Sequence, residues 1–270
     1  MHIDTTAATT ATGSEGLFGC VLVGIDDTPE SLVAAAQAGT VLDPGGQLVL
    51  VGVAERHLAA HAGLAAGEAD HLVLTGTSED LARAGELVRA DDTLLASGRL
   101  VDVLRAECER RGASLVVVGA RPHGRLAARA FGGHDVEALR VSPCSLLVAR
   151  AGWGPRRPDR VVVAVAGGPE SDTAQDVGRA LARRLGCELV STIGLERTDD
   201  LRLGRLAREE ALLHPGPLED AVAATATTAS LVVVGKAAET DAGLVERVAF
   251  GARGSVLVVR HEPSDQAGSR

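Results

Sequence analysis

The sequence contains three phrases that occur twice in the same order, and this duplication constrains the fold more than any other feature. The paired phrases are Pro29–Ser31 with 169–171, Ala113–Gly119 with 229–235, and Ser145–Arg150 with 255–260. The middle phrase is identical in both copies, and the last differs only by exchanges among aliphatic residues. Two occurrences of so long a unit indicate two related domains rather than a solenoid.

The repeat sets the domain boundaries within the 270 residues. We expect a first domain at 17–150, a linker at 151–158 and a shortened second domain at 159–261. The linker is rich in glycine and proline, which is typical of a connection between domains. A disordered tail is expected at 1–16 and a second tail at 262–270, because both segments are polar and rich in small residues.

Within each copy, short continuous apolar runs alternate with longer helical segments. Such runs are typical of strands buried on both faces of a parallel sheet. The predicted strands are Cys20–Ile25, Leu48–Val53, Thr93–Ser97, Ser114–Val118 and Ser145–Ala149 in the first copy, and 161–165, 188–193, 209–213, 230–234 and 255–260 in the second. The pattern predicts an α/β fold of two doubly wound, parallel, five-stranded sheets, one for each copy.

Helices are predicted between the strands of the first copy. Thr28 and Pro29 are expected as the N-cap and the first residue of a helix that runs to about Gly39. The further predicted helices are 56–88, interrupted at Gly63, Gly67 and His71–Leu74; 100–111, with Leu100, Val103, Leu104 and Cys108 inward; and 135–141.

Composition and charge exclude several classes of protein. The net charge is −9 and the only aromatic residues are three Phe and one Trp, so a nucleic acid is not an expected partner. Apolar runs are too short to cross a bilayer, and the N-terminus lacks the basic start and apolar core of a signal peptide. We therefore expect a cytoplasmic protein with no membrane contact. Its four cysteines lie far apart without a CxxC pair, which is typical of reduced, buried thiols.

Two loops of the first copy qualify as ligand-binding loops. In an open parallel sheet, ligands bind beyond the carboxyl ends of the strands, where the strand order reverses. The first strand ends in Asp26-Asp27, and the fourth leads into a glycine-rich loop at 119–133. A glycine-rich turn before a helix presents backbone N–H groups and the positive end of the helix dipole to an anion. Three arginines in this loop add positive charge.

The order of these motifs resembles the universal stress protein family, in the form that carries two family domains in one chain. Gly24–Ser31 is similar to the family's first strand and turn, and Ser142–Val148 is similar to its last strand. The pattern is completed by a fourth strand that leads into Gly119 and is followed by the glycine pair Gly132-Gly133. The resemblance covers about 19–150 and 159–261. It implies the adenine nucleotide alpha hydrolase-like, Rossmann-like fold of the family.

The resemblance also implies a site for ATP or another adenine nucleotide, in the first domain only. The implied binding residues are Ile25, Asp26, Val53, Val118, Gly119, Arg121, Gly132, Gly133 and His134. The first three match positions beside the adenine ring, and the next two match the end of the fourth strand. Arg121 matches the turn at the ribose and phosphates, and the last three match the helix start that receives the terminal phosphates.

Departures from the family pattern weaken this site. Pro122 replaces a motif glycine, and proline has no N–H and cannot adopt a positive φ. Gly133 stands where the family has a Ser or Thr hydroxyl, and Asp135 adds a carboxylate that would repel a phosphate. Each change weakens binding by about 1–2 kcal/mol, or roughly tenfold in affinity.

The second copy departs further, and we expect it not to bind nucleotide. Its first strand is followed by Ala166 in place of the acidic residue, and Glu239 and Asp241 are acidic where phosphates would lie. Ala249–Gly251 repeats a phrase of the first copy's loop, but it lies too far from the strand for the motif. Almost no helix fits between this phrase and Ser255.

These features predict a non-catalytic regulatory or stress-response protein with an unidentified protein partner. Because the family's last strand often lies at a sheet edge, we expect the two copies to pair through 145–150 and 255–260, and two chains to form a homodimer. One alternative is an ATP-binding sensor or slow ATP hydrolase that uses the first domain. Another, a ligase or sulfurtransferase of the wider nucleotide hydrolase group, needs a Ser/Gly phosphate loop that Asp26–Pro29 does not provide.

Two other constellations receive simpler interpretations. His57 and His61 share a helical face, but the sequence has neither the glutamate of the metalloprotease motif nor a cysteine pair to complete a site, so no metal is predicted. Cys144 has no histidine or acid that points to it as a partner. We therefore expect it to pack in the core.

Overall fold

Strands and helices alternate along most of the chain in a computed structural model that describes residues 16–54, 66–120, 142–153, 156–195, 211–236 and 242–261. The strands are β1 (Cys20–Ile25), β2 (Gln47–Ala54), β3 (Asp92–Ser97), β4 (Leu115–Gly119), β5 (Ser145–Ala149), β6 (Arg160–Ala164), β7 (Glu188–Leu195), β8 (Ala211–Pro215), β9 (Leu231–Lys236) and β10 (Ser255–Arg260). The described helices are α1 (Pro29–Val41), α2 (Ala66–Val88), α3 (Leu100–Arg111), α4 (Pro169–Leu185), α5 (Leu218–Thr225) and α6 (Ala242–Gly251).

This arrangement confirms the predicted α/β class and every predicted strand. The bounds of β1, β5 and β10 are those predicted, and the other strands differ by a residue or two at their ends. One helix prediction was wrong, because α2 runs without a break through Gly67 and His71–Leu74. A glycine costs a helix only about 1 kcal/mol, and the packing of α2 against β2 outweighs it. The predicted helical residues 56–65 and 135–141 lie outside the described residues.

The ten strands form one sheet in the order β3-β2-β1-β4-β5-β10-β9-β6-β7-β8. Each half has the same order, and every pair within a half is parallel. The two predicted five-stranded sheets are therefore present as the halves of a single sheet, related by a pseudo-twofold axis at its centre. They form one sheet because β5 and β10, the innermost strands of the two halves, pair with each other.

The central pair β5–β10, hereafter the seam, is antiparallel and joins the two halves. Leu147 lies opposite Leu257, which confirms the predicted pairing of the two repeated phrases. The ends of the seam are linked reciprocally: the Arg150 N–H donates to Ser255 Oγ at 2.9 Å, and the Arg260 N–H donates to Ser145 Oγ at 3.3 Å. The serine at the start and the arginine at the end of each phrase thus have a structural reason to recur.

The arginine side chains of the seam extend this link to the neighbouring elements. The Arg150 guanidinium donates to the carbonyls of Ala249, at 2.9 Å, and Ala252, which lie at the C-terminal end of α6 in the other half. Arg260 donates to the carbonyl of Ser142 at 3.0 Å. Cations at a helix C-terminus stabilise the unpaired carbonyls and the helix dipole.

A buried glutamine connects α1 to the seam from the first face of the sheet. Gln37 is fully buried. Its Nε2 donates to the Arg150 carbonyl at 2.8 Å, and its Oε1 accepts a hydrogen bond from Ser255 Oγ at 2.8 Å. Arg184 of α4 adds a second link between the halves, because it donates to the Asp43 carboxylate and to the Val41 carbonyl at the end of α1.

Aliphatic layers cover both faces of the sheet, as the aromatic-poor composition requires. On the first face, the strands pack against α1, α2 and α4, and on the second face they pack against α3, α5 and α6. Trp153, in the predicted linker, is 4% exposed and packs into the first-face layer. In α3, Leu104 and Cys108 are buried as predicted, but the third buried residue is Val101, while Leu100 and Val103 are only partly buried.

We predict that Ser255→Ala lowers the free energy of unfolding by about 1–3 kcal/mol, because it leaves the buried Gln37 amide oxygen without its donor. Chemical denaturation followed by circular dichroism measures this. The matched control is Ser145→Ala, whose hydroxyl occupies the pseudo-symmetric position but accepts only the longer bond from Arg260. Equal losses for the two variants would show that the Gln37 link carries no stability.

Candidate functional site

The crevice at the carboxyl ends of β1 and β4 is the topological switch point of the first half. β1 pairs with β2 on one side and with β4 on the other. The chain leaves β1 through α1 to β2 on one side, and it returns from β3 through α3 to β4 on the other, so the strand order reverses between β1 and β4. In doubly wound folds, ligands bind beyond the carboxyl ends of the strands at such a point. Ile25 and Gly119 end the two strands at this point.

The turn after β1 is built around the Asp26 carboxylate. Asp26 Oδ1 accepts a hydrogen bond from the Thr28 N–H at 3.0 Å and another from the Thr28 hydroxyl. Thr28 is the N-cap residue of α1 by position, and Pro29 is in the first turn, as predicted, but the Thr28 hydroxyl makes no cap bond. It is engaged with Asp26 instead, so the aspartate fixes the turn that opens the crevice.

The serine of the repeated Pro-Glu-Ser phrase stabilises this turn through hydrogen bonds to its backbone. The Ser31 hydroxyl is buried and lies 2.9 Å from the carbonyl oxygens of both Asp26 and Thr28, to which it donates. In the second half, the Ser171 hydroxyl makes the corresponding contact with the Gly167 carbonyl at 3.0 Å. The phrase is therefore a structural device that both halves need, and it carries no ligand information.

A third carboxylate makes the β1 side of the crevice acidic. The Asp80 side chain on α2 is 14% exposed and pairs with Arg83 at 3.2 Å. Burial raises the pKa of the Asp80 carboxyl above its ordinary value; Arg83 opposes this rise, and the charges of Asp27 and Asp26 add to it. Asp80 was not among the predicted site residues, because the periodicity of a helix does not show that this residue packs towards the end of β1.

The predicted adenine-contacting residues do not share one face of the sheet. The Ile25 side chain is buried in the first-face layer, whereas Val53 and Val118 belong to the second-face layer. Val53 is partly exposed, and Val118 is 5% exposed. The structure thus brings Val53 and Val118 to the same face and places the Ile25 side chain on the opposite face. Ile25 borders the crevice through its backbone at the end of β1.

Gly119 has a packing role that both halves share. A Cβ on Gly119 would lie 2.5 Å from the carbonyl carbon of Glu30, and one on Gly235 would lie 2.0 Å from the carbonyl oxygen of Glu170. Glycine is required here because the N-terminal turns of α1 and α4 approach the ends of β4 and β9 closely. Its presence in both halves is therefore explained without a ligand.

Four of the predicted site residues lie outside the described residues. They are Arg121, Gly132, Gly133 and His134. The same holds for Pro122 and Asp135, for the acidic residues predicted to disfavour phosphate in the second half, and for His57 and His61. The phosphate side of the site accordingly stays a prediction.

The second half has the same scaffold at its switch point, but Ala166 stands at the position of Asp26. After β6 the chain continues through Ala166, whose N–H donates to the Ser171 hydroxyl at 3.1 Å. Gly167 and Gly168 follow with φ of +89° and +86°, a region that favours glycine. The Asx-type turn of the first half is thus replaced by a backbone turn, and the side-chain acceptor that Asp26 provides is absent from this turn.

The second half has a helix that ends in the repeated phrase. α6 spans Ala242–Gly251, and Ala249–Gly251 forms its last turn, with Val248 and Ala249 buried in the second-face layer. As expected, no helix lies between this phrase and Ser255.

Two searches of the described residues concern other functions. Within the ranges given above, no three His, Cys, Asp or Glu side chains are grouped so that they could hold a metal ion. Within the same ranges, none of the helices has the length and apolar character needed to cross a membrane.

The fold defines a two-part α/β protein with a doubly wound switch point in each half. Residues 18–150 match the Usp family, described as the Universal stress protein family. The first half of the chain is therefore a domain of this family, and the second half repeats the strand order of the matched half. No curated protein matches the sequence.

Solved structures share this fold over both halves. A universal stress protein from Archaeoglobus fulgidus DSM 4304 is similar with a TM-score of 0.71 and 16% identity, over 91% of this chain and 97% of that one. A functionally unknown protein from Pseudomonas aeruginosa PAO1 is similar with a TM-score of 0.63 and 20% identity, over 90% of this chain and 92% of that one. The likeness extends beyond the matched residues 18–150 and therefore includes the second half.

We predict that Gly119→Ala and Gly235→Ala each destabilise the protein by about 1–3 kcal/mol, because the added methyl group overlaps the backbone of α1 or α4. Thermal and urea denaturation measure the loss. Gly39→Ala is the control: a Cβ there meets nothing within 4 Å, and alanine favours the helix. If Gly119→Ala were as stable as the wild type, the close approach would be wrong.

We also predict that Asp80→Asn stabilises the protein at neutral pH. Since folding raises the pKa of this carboxyl, the ionised form is disfavoured in the native state, and that penalty develops as pH rises above about 4. The gain should shrink towards zero in more acidic buffer, where the wild-type carboxyl is protonated in both states. Asp176→Asn, which removes a 72%-exposed member of a similar ion pair, should show no gain. A neutral or destabilising Asp80→Asn at pH 7 would contradict the assignment.

Proposed function

We propose that the chain is a non-catalytic regulatory protein of the universal stress type that binds one adenine nucleotide, in the first half. The observation that carries the proposal is the asymmetry of two otherwise equivalent turns. Asp26 organises the turn at the first switch point, and Ala166 stands at the corresponding place in the second. An equivalent buried serine holds each turn, Ser31 in the first half and Ser171 in the second. The two turns therefore differ in the group that faces the crevice.

The chemistry of the described part of the crevice supports a base and ribose rather than phosphates beside β1. Asp26, Asp27 and Asp80 place negative charge there. Carboxylates accept hydrogen bonds from an adenine amino group or a ribose hydroxyl, and they repel a phosphate. Val53, which is partly exposed near the end of β2, supplies apolar surface on the second face, against which a flat ring can pack.

The phosphates would then lie towards the loop after β4. We assign this role to Arg121, Gly132, Gly133 and His134, from the family resemblance. Pro122 removes a backbone donor from this loop and Asp135 adds a negative charge, so we expect weak binding. A missing hydroxyl at Gly133 and the nearby carboxylate also disfavour phosphate transfer, which is why the proposal is a binding function. We also propose a cytoplasmic location, a homodimer and a protein partner.

The Asp26 turn also favours an alternative, an ATP-binding sensor or slow ATP hydrolase that uses the same site. The two functions differ in what the bound nucleotide undergoes. Incubation of the purified chain with ATP and Mg²⁺, followed by measurement of released phosphate over hours, separates them. Release that depends on Asp26 would favour the hydrolase, and unchanged ATP would favour the binding protein.

We predict that calorimetric titration with AMP or ATP gives one nucleotide per chain. Asp26→Ala should weaken binding at least tenfold, because it removes both the charge and the turn acceptor. Asp26→Asn keeps an oxygen that can accept from Thr28, so its loss isolates the contribution of the charge. Asp176→Asn is the control, since this carboxylate is 72% exposed and lies on α4 in the second half.

Three results would contradict the proposal. Two nucleotides per chain would show that the second half binds as well. Unchanged affinity in Asp26→Ala would place the ligand elsewhere. No heat at millimolar nucleotide, with a chain that unfolds cooperatively, would show that the crevice has lost its ligand.

A further inference from the structure

Two cysteines that are remote in the sequence meet at the end of the sheet opposite the crevice. Cys108 lies in the last turn of α3, and Cys144 immediately precedes β5. Their sulfur atoms are 3.0 Å apart, within the distance at which one thiol donates a hydrogen bond to the other. Both are free thiols. The expectation that Cys144 only packs in the core therefore omits its nearest partner.

We propose that Cys108 and Cys144 form a reversible disulfide, which makes this pair a site of oxidation by small hydroperoxides. A disulfide needs a sulfur separation of about 2.05 Å, and the observed arrangement requires an approach of about 1 Å. Residues 142–144 directly precede the first residue of β5, and a movement of this size is small for a connecting segment.

The surroundings of the two thiols assign them different roles. Contact with the Cys144 thiol lowers the pKa of Cys108, while burial opposes this effect and Arg260 assists it. The same contact raises the pKa of Cys144, and burial raises it further. Since the 3.0 Å contact lets one sulfur stabilise a thiolate on the other, we assign the first reaction to Cys108 and the resolving step to Cys144.

The reaction balances with one hydroperoxide. The Cys108 thiolate attacks one peroxide oxygen, the O–O bond breaks, and a sulfenic acid forms while water or an alcohol leaves. The Cys144 sulfur then attacks the Cys108 sulfur and loses its proton; the S–S bond forms, the S–O bond breaks, and a second water leaves. Two thiols lose two electrons in total, and the peroxide is reduced.

A small cleft lies near the pair, although neither cysteine lines it. It has a volume of about 20 Å³ and is lined by residues that flank both cysteines, including Leu104, Ser142 and Pro143. This volume holds about one water-sized molecule. Cys144 is partly exposed, whereas Cys108 is 3% exposed, so access is from the Cys144 side. The burial of Cys108 favours a small hydroperoxide over a bulky disulfide such as oxidised glutathione.

Oxidation would hold one end of the seam in place. Cys144 is the neighbour of Ser145, which accepts the Arg260 N–H, and Arg260 also donates to the Ser142 carbonyl. A bond from α3 to this segment would therefore fix the first-half end of the seam. It would also close the chain between positions 108 and 144 into a loop, which restricts the unfolded state.

The other two cysteines provide controls. Cys20 lies close enough for the charge of Cys108 to affect its pKa, but burial is the main influence and raises the pKa of Cys20. Burial also raises the pKa of Cys187, which lies in the second half. Neither has a hydrogen bond to another thiol among the described residues. We expect both to stay reduced.

The test is treatment of the full-length, reduced protein with one to two equivalents of hydrogen peroxide, followed by thiol titration and peptide mapping by mass spectrometry. The expected result is loss of two of the four thiols, a single cross-linked pair of peptides containing Cys108 and Cys144, and full reversal by dithiothreitol. The melting temperature of the oxidised form should rise by about 5–10 °C. Because the mapping uses the wild-type chain, it does not depend on whether a variant folds.

Variants then separate the two roles. Cys144→Ser should accumulate a sulfenic acid on Cys108 that dimedone traps, whereas Cys20→Ser and Cys187→Ser should oxidise as the wild type does. Retention of four thiols after peroxide treatment would overturn the proposal. So would a cross-link that contains Cys20 or Cys187, a cross-link between chains, or conversion of Cys108 to a sulfinic acid in the wild type.

Discussion

The antiparallel seam between β5 and β10 is the interaction on which the rest of this structure depends. Every residue of β5 is buried, and all of β10 except its last residue is buried. In a separate half, each of these strands would be an aliphatic edge with unpaired backbone groups, which is a template for aggregation. Pairing the two edges satisfies those groups and allows the aliphatic layers on both faces of the sheet to continue from one half into the other. The Gln37–Ser255–Arg150 contacts then fix which residues face each other.

This constraint explains what the second copy has kept and what it has lost. It has kept the strand that forms the seam, the serine that holds the first turn, and the glycine that lets α4 approach β9. It has lost the carboxylate at its switch point, where Ala166 stands. The retained residues all serve packing or hydrogen bonding, so the second half completes the sheet whether or not it binds a ligand. The resulting protein is a covalent pseudo-dimer with two unequal crevices.

Local patterns in the sequence predicted the fold well, because strands buried on both faces read as continuous apolar runs and the repeat doubled the evidence. Non-local contacts were beyond such patterns. The full burial of Gln37 depends on a partner in the other half, and the proximity of Cys108 and Cys144 depends on how α3 packs beside β5. The joining of two sheets into one was foreseeable only from the expected edge pairing. At the site, Asp26 and Gly119 were both singled out, yet the structure gives Gly119 a packing reason that sequence alone could not separate from a ligand role.

Hydrogen–deuterium exchange of the backbone amides measures the central role of the seam most directly. The account predicts that amides of Leu146–Val148 and Val256–Val258 exchange only with global unfolding, at least about 100-fold more slowly than those of the outer strands β3 and β8. Protection should be similar in both seam strands, since each is the other's partner. Exchange of β5 and β10 at the rate of the outer strands would contradict the account, because the two halves would then open independently at their junction.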